Sequence, residues 1–224
     1  MRAWAFEHGV MWAMDLADGR TTVPMSAQVV AVFGEVRSGN AEPLSAAMGL
    51  PNAQFVLRRF ATERRCFAAW VEGKIAAYGW VSQATECIGE LEREIQIGAD
   101  EAYIWNCATL PSYRRRRVYT ALLSHIIAQL RGQGVRRVWI GSSVHNRPSL
   151  RAFAKAGFWP VVRLVYMRLF NLGGSWMPGY PDAPGELVAA ARRALTADHE
   201  HRWGVVSVGL SRSTPLPACA QIEG

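Results

Sequence analysis

One segment carries most of the structural information in this sequence: Thr109-Leu-Pro-Ser-Tyr-Arg-Arg-Arg-Arg-Val-Tyr-Thr-Ala-Leu-Leu123. It has the character of a strand end, a tight turn with four consecutive arginines, and the first turns of an apolar-faced helix. The first N–H groups of a helix have no intrahelical partner, and they lie at the positive end of the helix dipole. Guanidinium groups beside them complete a surface that suits phosphate. The segment therefore predicts a phosphate-binding turn.

The regions on either side of this segment predict a strand–helix–strand unit. Residues 101–110 and 137–144 are apolar and β-prone, as expected for two buried strands. Between them, apolar residues recur at i, i+4 spacing, which predicts a helix that covers a sheet: Val118, Leu122, Ile126 and Leu130. Such crossover units are right-handed and their strands are parallel.

A second predicted helix follows the second of these strands. Asn146-Arg-Pro-Ser149 places a polar cap before Pro148, which suits the first turn of a helix. The helix ends near Lys155-Ala-Gly-Phe158, and residues 159–170 predict a long final strand.

Together, the segments 109–123, 146–149 and 155–158 resemble the acyl-CoA-binding half of the GCN5-related N-acetyltransferase (GNAT) superfamily. The resemblance extends over residues 10–170. It implies an α/β fold with a GNAT-like mixed, splayed central sheet flanked by helices. It also implies an N-acyltransferase that moves an acetyl or other acyl group from acetyl-CoA, or another acyl-CoA co-substrate, directly to an amine.

The resemblance also implies which residues hold the co-substrate. The family turn has the pattern Arg/Gln-x-x-Gly-x-Gly/Ala. Arg114 matches its first position, whereas Arg117 and Tyr119 replace the two small residues. Asn146 falls where the family has an Asn that contacts the pantetheine arm. By position, the implied binding residues are Cys107, Ala108, Thr109, Arg114, Arg115, Arg116, Arg117, Val118, Tyr119, Thr120, Asn146 and Ser149.

The arginine at position 117 leaves two outcomes open. Glycine at this position allows backbone N–H groups to approach phosphate, and a Cβ atom can obstruct that approach. The Arg117 side chain either swings outward and adds charge to the site, or it occupies the site and blocks it. We favour the first, because Arg115 and Arg116 bias the site toward anions. The alternatives without a ligand are a solvated, charged helix entrance and, for Asn146, an ordinary helix cap.

The sequence does not assign the catalytic groups. Many family members place a Tyr seven residues after the Asn to protonate the departing thiolate, and some carry a general-base Glu five residues before it. This chain has Phe153 and Gly141 at those positions. Acyl transfer can proceed without them, because thiolate is a good leaving group and water can relay the proton. The candidates are Ser149, Asn106, His145 and Tyr166, followed by Ser142, Ser143 and Glu101.

Each of these candidates, taken singly, is better explained as a satisfied polar group of a strand or cap. His125 lies within the predicted helix 118–130 and is interpreted as structural. Cys107 would lie beside the thioester, but no neighbouring His in the sequence supports a covalent acyl-cysteine route.

The composition narrows the class of protein. The formal charge of +7 comes almost wholly from arginine and is concentrated at 114–117, 131, 136 and 137, so a local anion site fits better than a nucleic-acid-binding face. The four cysteines show no metal-ligand spacing, and we expect them to be reduced. No signal-peptide or membrane-length apolar run is visible. We therefore expect a soluble cytoplasmic protein that binds no metal or membrane and can form a homodimer.

The predicted organisation is an acyltransferase domain at residues 1–170 and a C-terminal extension at 171–224. The extension has a Gly/Pro-rich linker, a short helix at 186–200 and a disordered tail at 211–224, and we expect it to be dispensable for folding. Within the domain, the sequence predicts a first strand at 10–16, helices at 24–36 and 43–48, a hairpin at 66–81, and at 86–100 a connector or the start of the next strand.

Three functions remain open on the sequence alone. The first is acyl transfer to a small-molecule or peptide amine, whose identity no motif reveals. The second is a non-catalytic CoA-binding or scaffold domain, which the missing Tyr and glycines favour. The third is a nucleic-acid-binding module; it ranks last because the basic run is short and lacks interleaved aromatic residues for stacking.

Overall fold

One parallel strand pair lies within an otherwise antiparallel sheet. The structure is a computed structural model that describes residues 4–17, 24–88, 93–169, 172–196, 201–203 and 206–210. Its strands are β1 (Trp4–Asp15), β2 (Val32–Glu35), β3 (Arg65–Val71), β4 (Lys74–Ser82), β5 (Glu86–Ile88), β6 (Arg93–Ile95), β7 (Glu101–Thr109), β8 (Arg137–Ser143), β9 (Trp159–Leu169), β10 (Leu172–Trp176), β11 (His201–Trp203) and β12 (Val206–Leu210). Its helices are α1 (Ala41–Met48), α2 (Gln54–Ala61), α3 (Val118–Gly132), α4 (Arg147–Ala156) and α5 (Gly185–Leu195).

The sheet has ten strands in the order β11-β12-β10-β9-β1-β8-β7-β4-β3-β2, and β5 pairs with β6 in a separate hairpin. The predicted strand–helix–strand unit is confirmed: α3 connects β7 to β8, and these two strands are parallel neighbours. The predicted hairpin is β3–β4. The mixed α/β fold, with helices against a large sheet, agrees with the expected fold class.

Side-chain alternation along the strands separates two helical layers. Even-numbered residues of β7 and β8, such as Ile104 and Ile140, pack in one core with Leu122 and Phe153 of α3 and α4. On the opposite face, α1 and α2 cover β3 and β4, while α5 covers β1, β8 and β9. The period-2 alternation of the strands therefore gives the sheet two apolar faces, each covered by helices.

The helix predicted at residues 24–36 is wrong. Its described residues alternate instead: Val29 and Phe33 pack against the α3 core, while Val30 and Val32 are 93% and 68% exposed. The spacing of Val29, Phe33 and Val36 suits a helix, but Val29 and Phe33, which are both odd-numbered, also suit one face of an extended chain. Pairing of β2 with β3 satisfies the backbone and selects the extended form. Helix α2, for which the sequence analysis offers no element, follows the correctly predicted α1.

The C-terminal region contributes to the sheet and to the core. Leu172–Trp176, assigned above to a linker, is strand β10 and pairs with both β9 and β12. The predicted short helix is α5; its residues Leu187 and Leu195 are buried in the same cluster as Trp139 of β8. The expectation that this region is dispensable therefore conflicts with the packing. Residues 211–224 lie outside the described part, and the division at residue 170 stays a prediction.

Two negative findings concern the described residues alone. Among them, no group of three or more His, Cys, Asp or Glu side chains gathers as a metal site requires. None of the helices in the ranges given above combines the length and apolarity needed to cross a membrane. Cys66 and Cys107 are both free thiols.

Candidate active site

The central sheet opens between β7 and β8. The two strands pair over four residue pairs, from Glu101–Arg137 to Ile104–Ile140. Beyond Ile104 and Ile140 they continue to Thr109 and Ser143 without pairing with each other. A cavity of about 260 Å³ lies in the opening and is lined by residues of β1, β5, β7, β8, β9, α3 and α4.

A β-bulge shapes the β7 wall of this cavity. Pairing with β4 places Tyr78 opposite Ala108 and Trp80 opposite Trp105, so β7 carries one more residue than β4 in this interval. Asn106 adopts a φ of 42°, a left-handed conformation that Asn tolerates better than most residues. The bulge bends the strand and places Asn106 and Cys107, both of which line the cavity, opposite Gly79.

The predicted phosphate-binding turn adjoins the cavity. Arg115 and Arg117 have φ values of 63° and 58°, and Arg117 is the N-cap of α3. Among the described residues, the N–H groups of Val118, Tyr119 and Thr120 have no backbone acceptor, as expected for a helix N-terminus. The turn thus keeps a left-handed conformation at the position where the family has glycine, and it leaves three N–H donors without a backbone acceptor at the positive end of α3.

The four arginines of this turn differ in their contacts. Arg114 Nε donates a hydrogen bond to the Thr109 carbonyl oxygen at 3.2 Å, which ties the turn to the end of β7. Arg115, Arg116 and Arg117 are exposed, and none of the four forms an ion pair with a described carboxylate. Three guanidinium groups therefore remain available to an anion, while Arg114 also has a structural role.

Asn146 caps α4 at the cavity wall. Its Oδ1 accepts a hydrogen bond from the Ser149 N–H at 3.4 Å, which is the capping role considered above. The amide N–H2 group has no partner among the described residues, and both Asn146 and Ser149 line the cavity. A structural cap and a ligand contact are compatible here, because they use different atoms of one amide.

Cys107 and Tyr119 meet on the α3 side of the cavity. Burial raises the pKa of Cys107 to about 12, although hydrogen bonds from the Tyr119 hydroxyl and the Trp80 backbone partly offset this effect. Burial, and secondly the neighbouring Cys107, raise the pKa of Tyr119 well above its usual range. Both groups are therefore protonated at neutral pH. A thiol in this state is a poor nucleophile, which argues against the acyl-cysteine route.

The other candidate catalytic residues differ in whether they line the cavity. Asn106, Ser142, Ser143 and Ser149 line the cavity. His145 is exposed in the turn before α4, and Tyr166 is buried in the α5 core; neither contributes to the cavity wall.

Glu101 lies at the far end of β7. Its carboxylate accepts hydrogen bonds from Arg137 Nη1 at 2.6 Å and Trp139 Nε1 at 2.7 Å. Those two contacts make it a satisfied structural group, as the sequence analysis favoured.

Two residues at this site escaped the sequence analysis. His8, from β1, is the one histidine among the described residues that line the cavity. The predicted strand began at residue 10, but the observed pairing of His8 with Val165 extends β1 beyond that point. Arg59 contacts Asn106 from α2, a helix that was not predicted from the sequence. Continuing the alternation of residues 10–16 backward would have found His8.

Comparison with known proteins gives a family and a fold. The profile of the Acetyltransferase (GNAT) family matches residues 40–158, more than half of the chain. The [Ribosomal protein bS18]-alanine N-acetyltransferase of Escherichia coli (strain K12) is 33% identical over 63 residues, which are 28% of this chain and 43% of that relative. This match therefore spans less than half of the relative's length.

Two solved structures support the fold. A GNAT-family protein from Novosphingobium aromaticivorans DSM 12444 superposes with a TM-score of 0.52 at 15% identity, covering 73% of this chain and 65% of that one. A GCN5-related N-acetyltransferase from Sphaerobacter thermophilus gives a TM-score of 0.51 at 17% identity, over 71% and 50% of the two chains. At such identities the likeness concerns the fold alone.

Proposed function

The chain belongs to the Acetyltransferase (GNAT) family, and from this premise we propose that it transfers an acetyl or other acyl group from acyl-CoA directly to an amine. One observation carries the proposal: the sheet opens between β7 and β8 next to the free N-terminus of α3. An extended thioester arm fits such an opening, and the adjacent N–H groups suit the phosphates to which the arm is attached.

The turn at 114–117 supplies the anion site in this proposal. The N–H groups of Val118, Tyr119 and Thr120 would donate to the pyrophosphate, and the exposed arginines would add charge-assisted hydrogen bonds. Arg117 has an exposed side chain, which supports the interpretation that it supplements the site. Its left-handed backbone conformation supports it further, because the turn keeps its shape without the glycine.

The cavity would hold the thioester and the amine together. Asn146 and Ser149 contact it from α4, and the bulged strand β7 contacts it through Asn106 and Cys107. The amine nitrogen would bond to the acyl carbon as the carbon–sulfur bond breaks, and the amine proton would leave through water or a polar group of the wall. Holding both reactants in one small cavity lowers the entropic barrier to that step.

The proton-transfer groups are not the ones common in the family. Phe153 lines the cavity at the position of the family's Tyr, and Gly141 provides no carboxylate. The Cys107 thiol is too weakly acidic to act as a nucleophile. Direct transfer with a thiolate leaving group is therefore the route that the described residues favour.

A non-catalytic CoA-binding domain is the second candidate function, and the environment of Phe153 favours it. Phe153 is 2% exposed and packs in the α3 core, so the position offers no hydroxyl for proton transfer. A binding domain that retained the co-substrate site and lost the chemistry would have these features.

One experiment separates the two functions. The full chain is mixed with acetyl-, malonyl- or long-chain acyl-CoA and with pooled amino acids, aminosugars, polyamines and peptide amino termini, and release of free thiol is recorded. We expect amine-dependent thiol release. A raised melting temperature in acetyl-CoA together with no thiol release across the panel would support the binding domain. Absence of both effects would contradict the co-substrate assignment itself.

A further inference from the structure

The cavity reaches the α2 side of the sheet through Asn106. Cys107, the next residue, packs beneath α3. Its Sγ lies close to Gly79, since a Cβ atom added to that glycine would be only 2.8 Å away. Asn106 contacts Arg59 of α2, so its amide lies on the opposite face. The predicted phosphate site is at the N-terminus of α3. If the co-substrate enters from that face, then the side on which Asn106 lies is left to the acceptor amine.

Arg59 is an unusual partner for this amide. It is 2% exposed, and its guanidinium carbon lies 5.0 Å from the Trp80 ring centroid and 4.9 Å from that of Trp105. Nη1 and Nη2 donate to Asn106 Oδ1 at 2.9 and 3.3 Å, once the amide is oriented with its oxygen toward these donors. Arg59 Nε has no partner among the described residues. Both rings and the amide therefore hold the guanidinium without neutralising it.

Among the described residues, the charges around Arg59 do not balance. Glu86 is the carboxylate that interacts electrostatically with Arg59. However, Arg64 Nε and Nη2 bind Glu86 at 2.7 and 2.9 Å, and the Ser82 hydroxyl also donates a hydrogen bond to Glu86. In the described part of the chain, two guanidinium groups of this cluster thus share one carboxylate. A buried charge without a direct counter-ion is costly, so this cluster is suited to an anion supplied from outside.

We propose that the acceptor carries a carboxylate beside its amine, and that the Asn106 amide N–H2 group binds this carboxylate. The inference rests on the proposed acyl transfer. Because Oδ1 faces Arg59, the N–H2 group is directed away from Arg59, and the guanidinium polarises it as a donor. The exposed position of Asn106 in the cavity wall makes this donor accessible. Trp105, Tyr103 and Ile88 provide an apolar wall for the acceptor side chain.

The excess positive charge also suits the reaction. A nearby cation lowers the pKa of an amine, which favours the neutral form that attacks a thioester. An amine without a carboxylate would bring a cation toward this cluster with nothing to compensate it. A free amino acid satisfies both requirements, whereas a peptide amino terminus presents only a neutral carbonyl at the same distance from its amine.

The first test uses the unaltered full chain. Thiol release from acetyl-CoA is measured with a pool of amino acids, with the pool of their carboxamides, and with simple alkylamines. We expect kcat/KM to be higher for the amino acids by about tenfold or more, which corresponds to one charge-assisted hydrogen bond. Preference for the carboxamides or alkylamines would overturn this inference but leave acyl transfer intact. No turnover with any amine would instead count against the proposed function.

The second test changes the two residues. Asn106→Asp keeps the size of the side chain and a favourable contact with Arg59, but it replaces the N–H2 donor with a negative charge. It should reduce kcat/KM for amino acids by about tenfold or more and bring their turnover close to that of the carboxamides. Arg59→Met should have the same selective effect, and Arg58→Met, on an exposed position of the same helix, serves as the control. An equal loss for both classes of acceptor, or no loss, would overturn the inference.

Discussion

The ring of Phe153 packs edge-on against the indole of Trp12, with the ring centroids 6.0 Å apart and the planes at 72°. This contact joins α4 to the central strand β1 at the edge of the cavity. Position 153 therefore serves the apolar core of this chain, where many relatives have a phenol for proton transfer. Any enzymatic activity must be independent of a hydroxyl at this site.

Phe153→Tyr should leave turnover unchanged or raise it, because the proposed reaction uses no acid at this position. Thiol release with the preferred amine measures the effect. Phe158→Tyr is the matched control, since its ring lies 6.3 Å from that of Phe153 but does not line the cavity. A selective loss of turnover in Phe153→Tyr would mean that the apolar ring itself is required.

Arg117→Gly should stabilise the fold by about 1 kcal/mol, because glycine adopts a φ of 58° without the penalty of a Cβ atom. Arg116→Gly, at a neighbouring position without a positive φ, should instead destabilise. Urea unfolding midpoints measure both. Equal destabilisation by the two variants would contradict the assigned backbone conformation.

Arg117→Gly also resolves the role of the side chain. If Arg117 supplements the anion site, then this variant should bind acetyl-CoA more weakly in calorimetric titration. Tighter binding would show that the arginine obstructs the site.

Replacing Arg114 and Arg116 together by Ala should weaken CoA binding by about 2–3 kcal/mol, as expected for lost charge-assisted hydrogen bonds. Arg136 and Arg193, both exposed and distant in sequence from the turn, provide a control with the same loss of charge. Dephospho-CoA separates contacts with the pyrophosphate from contacts with the 3′-phosphate. Unchanged affinity in the double variant would identify the turn as a solvated surface.

Leu195→Ala should destabilise the whole fold by about 2–5 kcal/mol, because the side chain is fully buried in the cluster that joins α5 to β8. Arg193→Ala, on an exposed position of the same helix, should have little effect. A single cooperative unfolding transition at lower urea is the expected result. Normal stability of Leu195→Ala would restore the interpretation that this region is an appendage.

Cys107→Ala should retain acyl transfer, because the thiol is a poor nucleophile at neutral pH. Its raised pKa also has a consequence for folding. The unfolded chain loses the proton near pH 9.0 and the folded chain only near pH 12, so the contribution of this thiol to stability is present below pH 9.0 and declines as the pH rises toward 12. The variant should therefore lose stability less steeply over that interval. Loss of turnover in Cys107→Ala would revive the acyl-cysteine route.

The sequence predicted the elements whose signals are local. The run from β7 through α3 to β8 has strong apolar periodicity, a Pro stop and glycines after the helix, so it could be placed without knowledge of the fold. The cap at Asn146 was found for the same reason. These elements include most of the residues proposed to hold the co-substrate.

The errors concern residues whose conformation depends on distant partners. Residues 172–176 resemble a linker because two glycines are flanked by few apolar residues, yet pairing with β9 and β12 makes them a strand. Arg59 is one of several arginines in the sequence, and only the fold places it between two tryptophans. Local propensity cannot identify either feature, since both arise from contacts far apart along the chain.

The short pairing between β7 and β8 has a mechanical consequence. Four residue pairs are the whole of the hydrogen-bonded seam between the six strands from β11 to β8 and the four strands from β7 to β2. The sheet therefore consists of two groups of strands joined by a short hydrogen-bonded segment. An extended molecule bound in the opening would extend the hydrogen-bonded segment and connect the two groups of strands. Amide hydrogen exchange in the unpaired end of β8 should therefore slow when acetyl-CoA binds.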